Sequence, residues 1–304
     1  MKILLFGRNG QVGWELQRSL ATMGDVVPLG RDATANPDGL CGDLTNLDGI
    51  ARTVRQVAPE IIVNAAAYTA VERAEKEPGL ARTVNALAPG VLASEANRLG
   101  AWLVHYSTDY VFDGSGNTAW RESDPTGPLN VYGRSKLDGE TAVASATRHL
   151  ILRTSWVYAA RGGNFAKTML ALAREKSSFS VVGDQFGVPT SAETVADATI
   201  ALLRQVTARP RLTGLYHCVA SGETSWHAYA QFVVAQALAL GWELAARPET
   251  ISAVSTAEKA SLAPRPLNSR LDSTKIRSTF QLHLPHWQLP LRRMLEEITP
   301  PRSR

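Results

Sequence analysis

The sequence predicts an α/β protein: a doubly wound parallel sheet with a smaller C-terminal domain. Three observations predict it. At the N-terminus an apolar strand runs straight into a glycine-rich turn and then a helix. Strand-like and helix-like patterns alternate from there to residue 155. Beyond residue 156 the pattern loses that regularity, which marks a change of domain.

Lys2–Phe6 is the first strand, and Gly7-Arg8-Asn9-Gly10-Gln11-Val12-Gly13 follows it at once. A helix pattern over Trp14–Met23 comes next, with Gly24 as its stop. The glycine spacing is GxxGxxG rather than GxGxxG. Gly7 permits a tight turn, Gly10 lets the backbone approach a pyrophosphate, and Gly13 allows close packing of helix on strand. The helix N-terminus then offers N–H groups to phosphate. Strand, turn and helix in this order therefore point to a dinucleotide.

Asp25–Leu29 is the second strand, ending at Gly30-Arg31. An acidic residue there would bind a ribose 2′-hydroxyl, whereas Arg31 suits a 2′-phosphate, so NADPH is permitted beside NADH. A solvated loop arginine is the competing reading. Cys41-Gly42-Asp43-Leu44 resembles a short third strand end, with Asp43 placed for an adenine amine. A helix over Leu47–Val57 stops at Pro59.

Glu60–Asn64 forms a further strand that runs into Ala65-Ala66-Ala67-Tyr68, where small side chains allow a flat ligand against the backbone. The pattern predicts a long helix over Pro78–Leu99, kinked or broken at Pro89. Trp102–Ser107 is a strand ending at Thr108-Asp109, and a Gly-, Asn- and Pro-rich loop over 112–130 leads to the next helix. Ile151–Ser155 is a strand leading to Trp156. In doubly wound sheets ligands sit at the carboxyl ends of the strands, and the glycine turn, Ala65–Tyr68, Thr108-Asp109 and Trp156 all lie at such ends.

The helix after the loop carries Tyr132 and Lys136, four residues apart and so on one face. A free tyrosine, with a pKa of about 10, exchanges protons poorly at neutral pH. A nearby ammonium favours the phenolate and fits the phenol for acid–base work. An isolated YxxxK is more often a solvated helix face; the glycine turn and the Thr108 strand end give this pair its chemical reading.

After residue 156 the sequence predicts a helix over Asn164–Arg174, a strand over Phe179–Val182 and a helix over Glu193–Val206. Gly214–Val219 returns to the main sheet, and helices follow near Trp226–Leu240, Ser273–Phe280 and Leu291–Ile298. The organisation expected is a dinucleotide-binding domain over 1–155, joined by parts of 180–245, and a discontinuous substrate domain over 156–304. Residues 300–304 read as a frayed tail.

Composition narrows the classes. In 304 residues, 44% hydrophobic and 20% charged content is ordinary for a globular protein. There is no run of about 18 apolar residues to span a membrane. The N-terminal apolar run is too short for a signal peptide. Two cysteines, Cys41 and Cys218, make no disulfide framework and fit a reducing cytoplasm. The net charge of +4 suits an anionic small molecule, and the dispersed basic residues give no nucleic-acid patch.

Five motifs occur in order: GxxGxxG; Asn64-Ala-Ala-Ala-Tyr68-Thr-Ala-Val71-Glu72; Tyr106-Ser-Thr108-Asp109-Tyr110-Val-Phe112; Tyr132-Gly-Arg-Ser-Lys136; and Arg265-Pro-Leu-Asn268-Ser-Arg270-Leu-Asp272. Together they resemble the dTDP-4-dehydrorhamnose reductase family of extended short-chain dehydrogenase/reductases, from Lys2 to about Ile298. The first four motifs are widespread in that superfamily; the last is much more specific to the reductases.

The resemblance implies a Rossmann sheet and reduction of a 4-keto sugar nucleotide by NADPH or NADH, in the supply of rhamnose for cell-surface polysaccharide such as O-antigen. It implies that Tyr132 protonates the emerging alkoxide, that Lys136 lowers the phenol pKa and holds the nicotinamide ribose, and that Thr108 bonds the carbonyl oxygen. Gly7, Gly10, Gln11, Val12, Gly13, Arg31, Asp43, Leu44, Ala66, Ala67, Tyr68, Tyr106, Tyr132 and Lys136 would line the cofactor site. Val71, Thr108, Asp109, Trp156 and Asn164 would face the sugar, and Arg265 and Arg270 its diphosphate. Some members are similar to a magnesium-linked homodimer, and Glu15, Glu193 and Glu297 match the positions of its carboxylates, the metal being structural.

A sugar-nucleotide epimerase or dehydratase of the same superfamily is the second reading, and its mark would be tightly held NAD⁺. A non-catalytic regulatory subunit is the third, opposed by the intact Thr108, Tyr132 and Lys136.

Overall fold

The computed structural model describes residues 1–259 and 261–299; the tail expected over 300–304 lies outside them. Six parallel strands form the main sheet: β1 (Lys2–Phe6), β2 (Asp25–Leu29), β3 (Ile61–Asn64), β4 (Trp102–Thr108), β5 (His149–Thr154) and β6 (Gly214–His217). Their spatial order is β6-β5-β4-β3-β1-β2. The order reverses direction between β1 and β3, which puts the glycine turn after β1 beside the end of β3. Pro28 sits in β2, an edge strand, where its missing N–H leaves no ladder bond unmade.

The strands are apolar throughout because both faces are covered. Along β1, Ile3 and Leu5 point to one face and Leu4 and Phe6 to the other, the period of two in a pleated strand. The first face packs on α1 (Gln11–Leu20) and on a long helix over Ala192–Ala208, through Leu16, Leu20, Val195 and Leu202. The second packs on α2 (Leu47–Val57), α3 (Ala88–Leu99) and α4 (Val131–Val143), through Ile50, Val54, Leu92 and Val143. A third core gathers Tyr158, Tyr229 and Trp287 with the helices Phe165–Glu175, Trp226–Ala239 and Gln288–Ile298. Beside it the strand Phe179–Val182 pairs in parallel with Ile251–Val254.

Three expectations are corrected. The first helix runs from Gln11 to Leu20, not Trp14 to Met23, and it ends on Ala21 without a glycine cap. Gly24 is instead required by proximity, since a Cβ there would stand 2.0 Å from the Met1 carbonyl oxygen. Cys41–Leu44 is loop rather than strand, and Gly42 lets it lie against the end of β2, where a Cβ would meet the Gly30 oxygen at 2.3 Å.

The long helix expected over Pro78–Leu99 divides into Pro78–Arg82, a π-helical turn over Thr83–Leu87, and α3. Pro89 has no N–H to give the turn before it, so the chain widens there. Other elements lie within a few residues of expectation, and β2, α2 and Phe179–Val182 coincide with it. Among the described residues no helix is long and apolar enough to cross a membrane.

Candidate active site

The centre of the sheet positions the reactive groups. β4 lies between β3 and β5, with Asn64 opposite His105 and Thr108 opposite Thr154. Thr108 ends the strand in a buried position, and its Oγ1 accepts a bond from Tyr110 N at 3.2 Å, capping the 3₁₀ turn Asp109–Val111. The chain then loops out and returns as α4. Asn130 caps that helix, accepting from Gly133 N at 2.8 Å while its amide donates to Pro264 O at 2.8 Å. A Cβ on Gly133 would stand 2.2 Å from the Tyr110 oxygen, so glycine is what lets the first turn of α4 dock on the strand end.

That docking brings Tyr132 beside Thr108, whose hydroxyl donates to Asp109 Oδ1 at 3.0 Å. Burial pushes the Tyr132 phenol up to about 12, against the opposing pull of the Thr108 hydroxyl nearby. The Tyr110 ring meets Tyr132 edge-on at 5.6 Å. Lys136, 2% exposed, donates from Nζ to the Tyr106 carbonyl at 2.6 Å and stands 3.3 Å from His105 Nε2. Burial pushes its ammonium down to about 8. The ammonium expected from the sequence to act on the phenol is thus engaged with β4. Asp109 is buried, which raises its carboxyl to about 6. Ser107 Oγ, Asp109 Oδ2 and Thr154 Oγ1 are buried without a partner, a local excess of polar groups of the kind a ligand satisfies.

The glycine turn fits a dinucleotide. Gly7 has φ +88°, and a Cβ on it would meet Ala66 N at 2.6 Å; one on Gly13 would meet the Gly7 oxygen at 2.0 Å. Both are therefore demanded by the protein's own packing. Gly10 is different: the nearest atom to its Cβ would be 3.4 Å away, so its small size serves whatever lies in front. It caps α1 with no side-chain bond and no acidic residue in the first turn, leaving the N–H groups for an anion. Val12 packs on the core beneath, and Gln11 Oε1 accepts from Asn164 Nδ2 at 3.1 Å. This bond joins the glycine turn to the cap of helix Phe165–Glu175, the residue expected to face the sugar.

Around this turn, Arg31 is exposed and Leu44 is buried in the core. Asp43 caps Thr45, its Oδ1 accepting from the backbone N at 3.0 Å. Ala66 and Ala67 leave the end of β3, and Tyr68 is gripped by a side chain the sequence reading missed. Asn85, on the π turn, accepts from Tyr68 N at 2.8 Å and donates to Tyr68 O at 3.0 Å and Ser135 Oγ at 3.0 Å. The Tyr68 hydroxyl donates to Glu77 at 2.6 Å. Tyr106 turns its phenol away to Thr199, 2.8 Å off, and presents its carbonyl to Lys136. His105 was also missed; a histidine inside the apolar strand Trp-Leu-Val-His-Tyr was its signal.

Among the residues expected to face the sugar, Val71 opens a short helix after Tyr68. Trp156 follows β5 with φ +48°, an unusual conformation for a bulky residue, and stacks on Trp226 at 3.5 Å. Gly187 provides the room, since a Cβ there would touch the Trp156 ring at 2.6 Å. Arg265 pairs with Glu72 at 3.1 Å, and Arg270 with Glu223 at 2.8 Å over the Phe186 ring. A diphosphate role would require those pairs to open.

Glu15, Glu193 and Glu297 line one small cavity. Burial raises the Glu15 carboxyl, as do Glu193 and Glu297. Arginines compete for the set: Arg293 lies 3.5 Å from Glu193, and Arg18 4.0 Å from Glu15. Among the described residues no three His, Cys, Asp or Glu side chains stand close enough to hold a metal. The magnesium expected from the resemblance links two chains, and within one chain these three carboxylates share the cavity with arginines beside them.

A doubly wound parallel sheet with Thr108, Tyr132 and Lys136 at its carboxyl edge, behind a GxxGxxG turn, defines an extended short-chain dehydrogenase/reductase. The family model described as "RmlD substrate binding domain" matches residues 1–299, and the chain belongs to that family. It is 51% identical over 299 residues, covering 98% of each chain, to the dTDP-4-dehydrorhamnose reductase of Salmonella typhimurium. To that of Shigella flexneri it is 50% identical, again with 98% of each chain covered. Among solved structures, a dTDP-4-dehydrorhamnose reductase from Bacillus anthracis in complex with NADP superposes with a TM-score of 0.84. That match has 33% identity and covers 97% of this chain and 99% of that one.

Proposed function

We propose that this chain reduces the 4-keto group of dTDP-4-dehydro-L-rhamnose with NADPH or NADH, giving dTDP-L-rhamnose. The observation that carries the reading is Tyr132 placed beside Thr108 at the end of β4 and one helical turn before the buried Lys136, in a chain half identical over its length to reductases of that name. The reduced nicotinamide, when bound, supplies hydride to the carbonyl carbon. The chain's residues do the rest. Thr108 bonds the carbonyl oxygen and orients it, and the Tyr132 hydroxyl gives its proton to that oxygen as negative charge develops there. Lys136, four residues on, holds the ribose beside the phenol. Gly10 and the α1 N-terminus take the pyrophosphate. Asp109, buried beside Thr108, meets a sugar hydroxyl.

We place the reaction in the cytoplasm, where the nucleotide substrate and a reducing milieu for Cys41 and Cys218 coincide, and read the assembly as a homodimer. The test is NADPH and NADH oxidation with dTDP-4-keto-6-deoxyglucose, with and without the 3,5-epimerase that converts it to the rhamnose precursor. Oxidation only with the epimerase present is the expected result. No oxidation by folded, cofactor-binding protein would overturn the reading in favour of a regulatory subunit, and copurifying NAD⁺ would favour an epimerase. Sedimentation measures the oligomeric state.

A further inference from the structure

Beneath the catalytic lysine lies a buried polar chain that the proposed reaction does not use. Ala66 N donates to Asn64 Oδ1 at 3.2 Å, which turns the Asn64 amide nitrogen toward His105 Nδ1, 3.2 Å away. An amide nitrogen only donates, so Nδ1 accepts, and the neutral ring carries its proton on Nε2. Nε2 faces Lys136 Nζ at 3.3 Å. The imidazole is fully buried and held neutral, first by burial and then by the lysine charge. Gly139 packs beside the ring at ordinary contact distance, 3.5 Å from its Cβ position to Nε2, and is glycine because a Cβ would stand 2.0 Å from the Asn85 carbonyl oxygen.

We propose that His105, held in a single tautomer by Asn64, is a positioning residue that fixes Lys136 on the Tyr106 carbonyl and opposes its positive charge. This rests on the reductase reading and deepens it. A ring N–H aimed at an ammonium is unfavourable, whereas the same N–H aimed at a neutral amine is a hydrogen bond. His105 therefore adds to burial in making Lys136 ready to release a proton beside Tyr132. The other groups that bear on Lys136 are few. Tyr132 and Glu140 share its helix, and the Tyr106 carbonyl faces it from β4; Glu140 is itself paired to Arg153 of β5 at 2.7 Å. The same chain runs from the lysine through His105 and Asn64 to Ala66, so cofactor contacts at the end of β3 and the lysine are set by one unit.

The test begins with ¹⁵N NMR of the histidines in the full chain. His105 is expected as the neutral Nε2–H tautomer; the Nδ1–H form would overturn the proposal. Second, Asn64→Asp keeps an acceptor for Ala66 N–H but turns an acceptor toward the ring, so the ring proton moves to Nδ1, which donates to the carboxylate, and Nε2 now accepts from the ammonium. The basic limb of the kcat profile should rise by about one pH unit. That rise should vanish when His105→Leu is added; if it persists, the new charge acts alone and the proposal falls. Third, His105→Leu alone should weaken NADPH binding, read by fluorescence, roughly tenfold. Unchanged binding, or a loss that merely tracks the melting temperature, would reduce His105 to a packing residue. If the wild-type chain oxidises no NADPH with the keto sugar, the reductase reading fails, while the NMR and binding arms still decide the role of His105.

Discussion

Residues 102–136 and 261–272 border the same end of the sheet but are held there by different physics. In the first, position follows from burial and parallel register: Thr108 and Lys136 are almost wholly enclosed, and the ladder fixes each strand end to its neighbour. The second has only isolated bridges, Asn268 to Phe186 and Leu271 to Trp120, and is otherwise stitched largely by side chains to backbone. Asn268 donates to Ser115 O and Thr118 O, accepts from Arg270, and takes the Trp120 indole bond on its carbonyl. Glu72 gathers Ser261, Leu262 N, Ala263 N and Arg265. The difference teaches that the proposed reacting groups stand on the rigid part, and the chain proposed to border the sugar on the part a few polar bonds control.

The sharpest break is chemical. Tyr132→Phe should lower kcat by roughly 10²–10⁴ while NADPH affinity stays nearly constant, as measured by turnover and fluorescence titration. Equal loss of both would mean that the rigid edge had been disturbed instead of the proton donor.

Next is the buried pair behind that edge. Arg153 donates to both Glu140 oxygens, at 2.8 and 2.7 Å, tying β5 to α4, with Phe112 stacked on the guanidinium. Glu140→Ala leaves that cation uncompensated and should cost about 3–5 kcal/mol in a denaturant melt. A loss under about 1 kcal/mol would show that water reaches the pair.

The stitched segment should respond less. Asn268→Ala strands several buried groups, for about 1–3 kcal/mol, and should raise KM for the sugar nucleotide more than it lowers kcat. An unchanged KM would remove this segment from the substrate site.

Glu72→Gln should be the mildest. The Ser261 hydroxyl, with Arg265 and the Ala263 N–H, holds the Glu72 carboxyl down at about 2 from an ordinary 4.5. A depressed carboxyl stabilises the fold above its unfolded pKa, and that contribution is lost as pH falls from about 4.5 toward 2. Because the side chain is 43% exposed, solvent screening keeps the effect below about 1 kcal/mol. Melts from pH 6 to pH 2 should show a shallower decline in Glu72→Gln than in the parent; parallel curves would exclude the bond.

Much of this was legible in the chain. Apolar runs of strand length, the glycine spacing and the Tyr132–Lys136 interval are local signals, set by backbone sterics and by the periods of helix and strand, so sequence alone determined the sheet, the glycine turn before the first helix and the placing of Tyr132 and Lys136 on one helix. Contacts between distant residues carry no such signal. Only the tertiary structure decided that Asn85 grips Tyr68, that Lys136 rests on Tyr106 and His105, that Gly24 serves a close approach instead of a cap, and that Arg265 and Arg270 are paired with Glu72 and Glu223. The physical reason common to all four is that each depends on which backbone or charge arrives from another part of the chain; at Asn85 and Lys136 burial then fixes the partner, because leaving a polar group unpaired there costs more than ordering it.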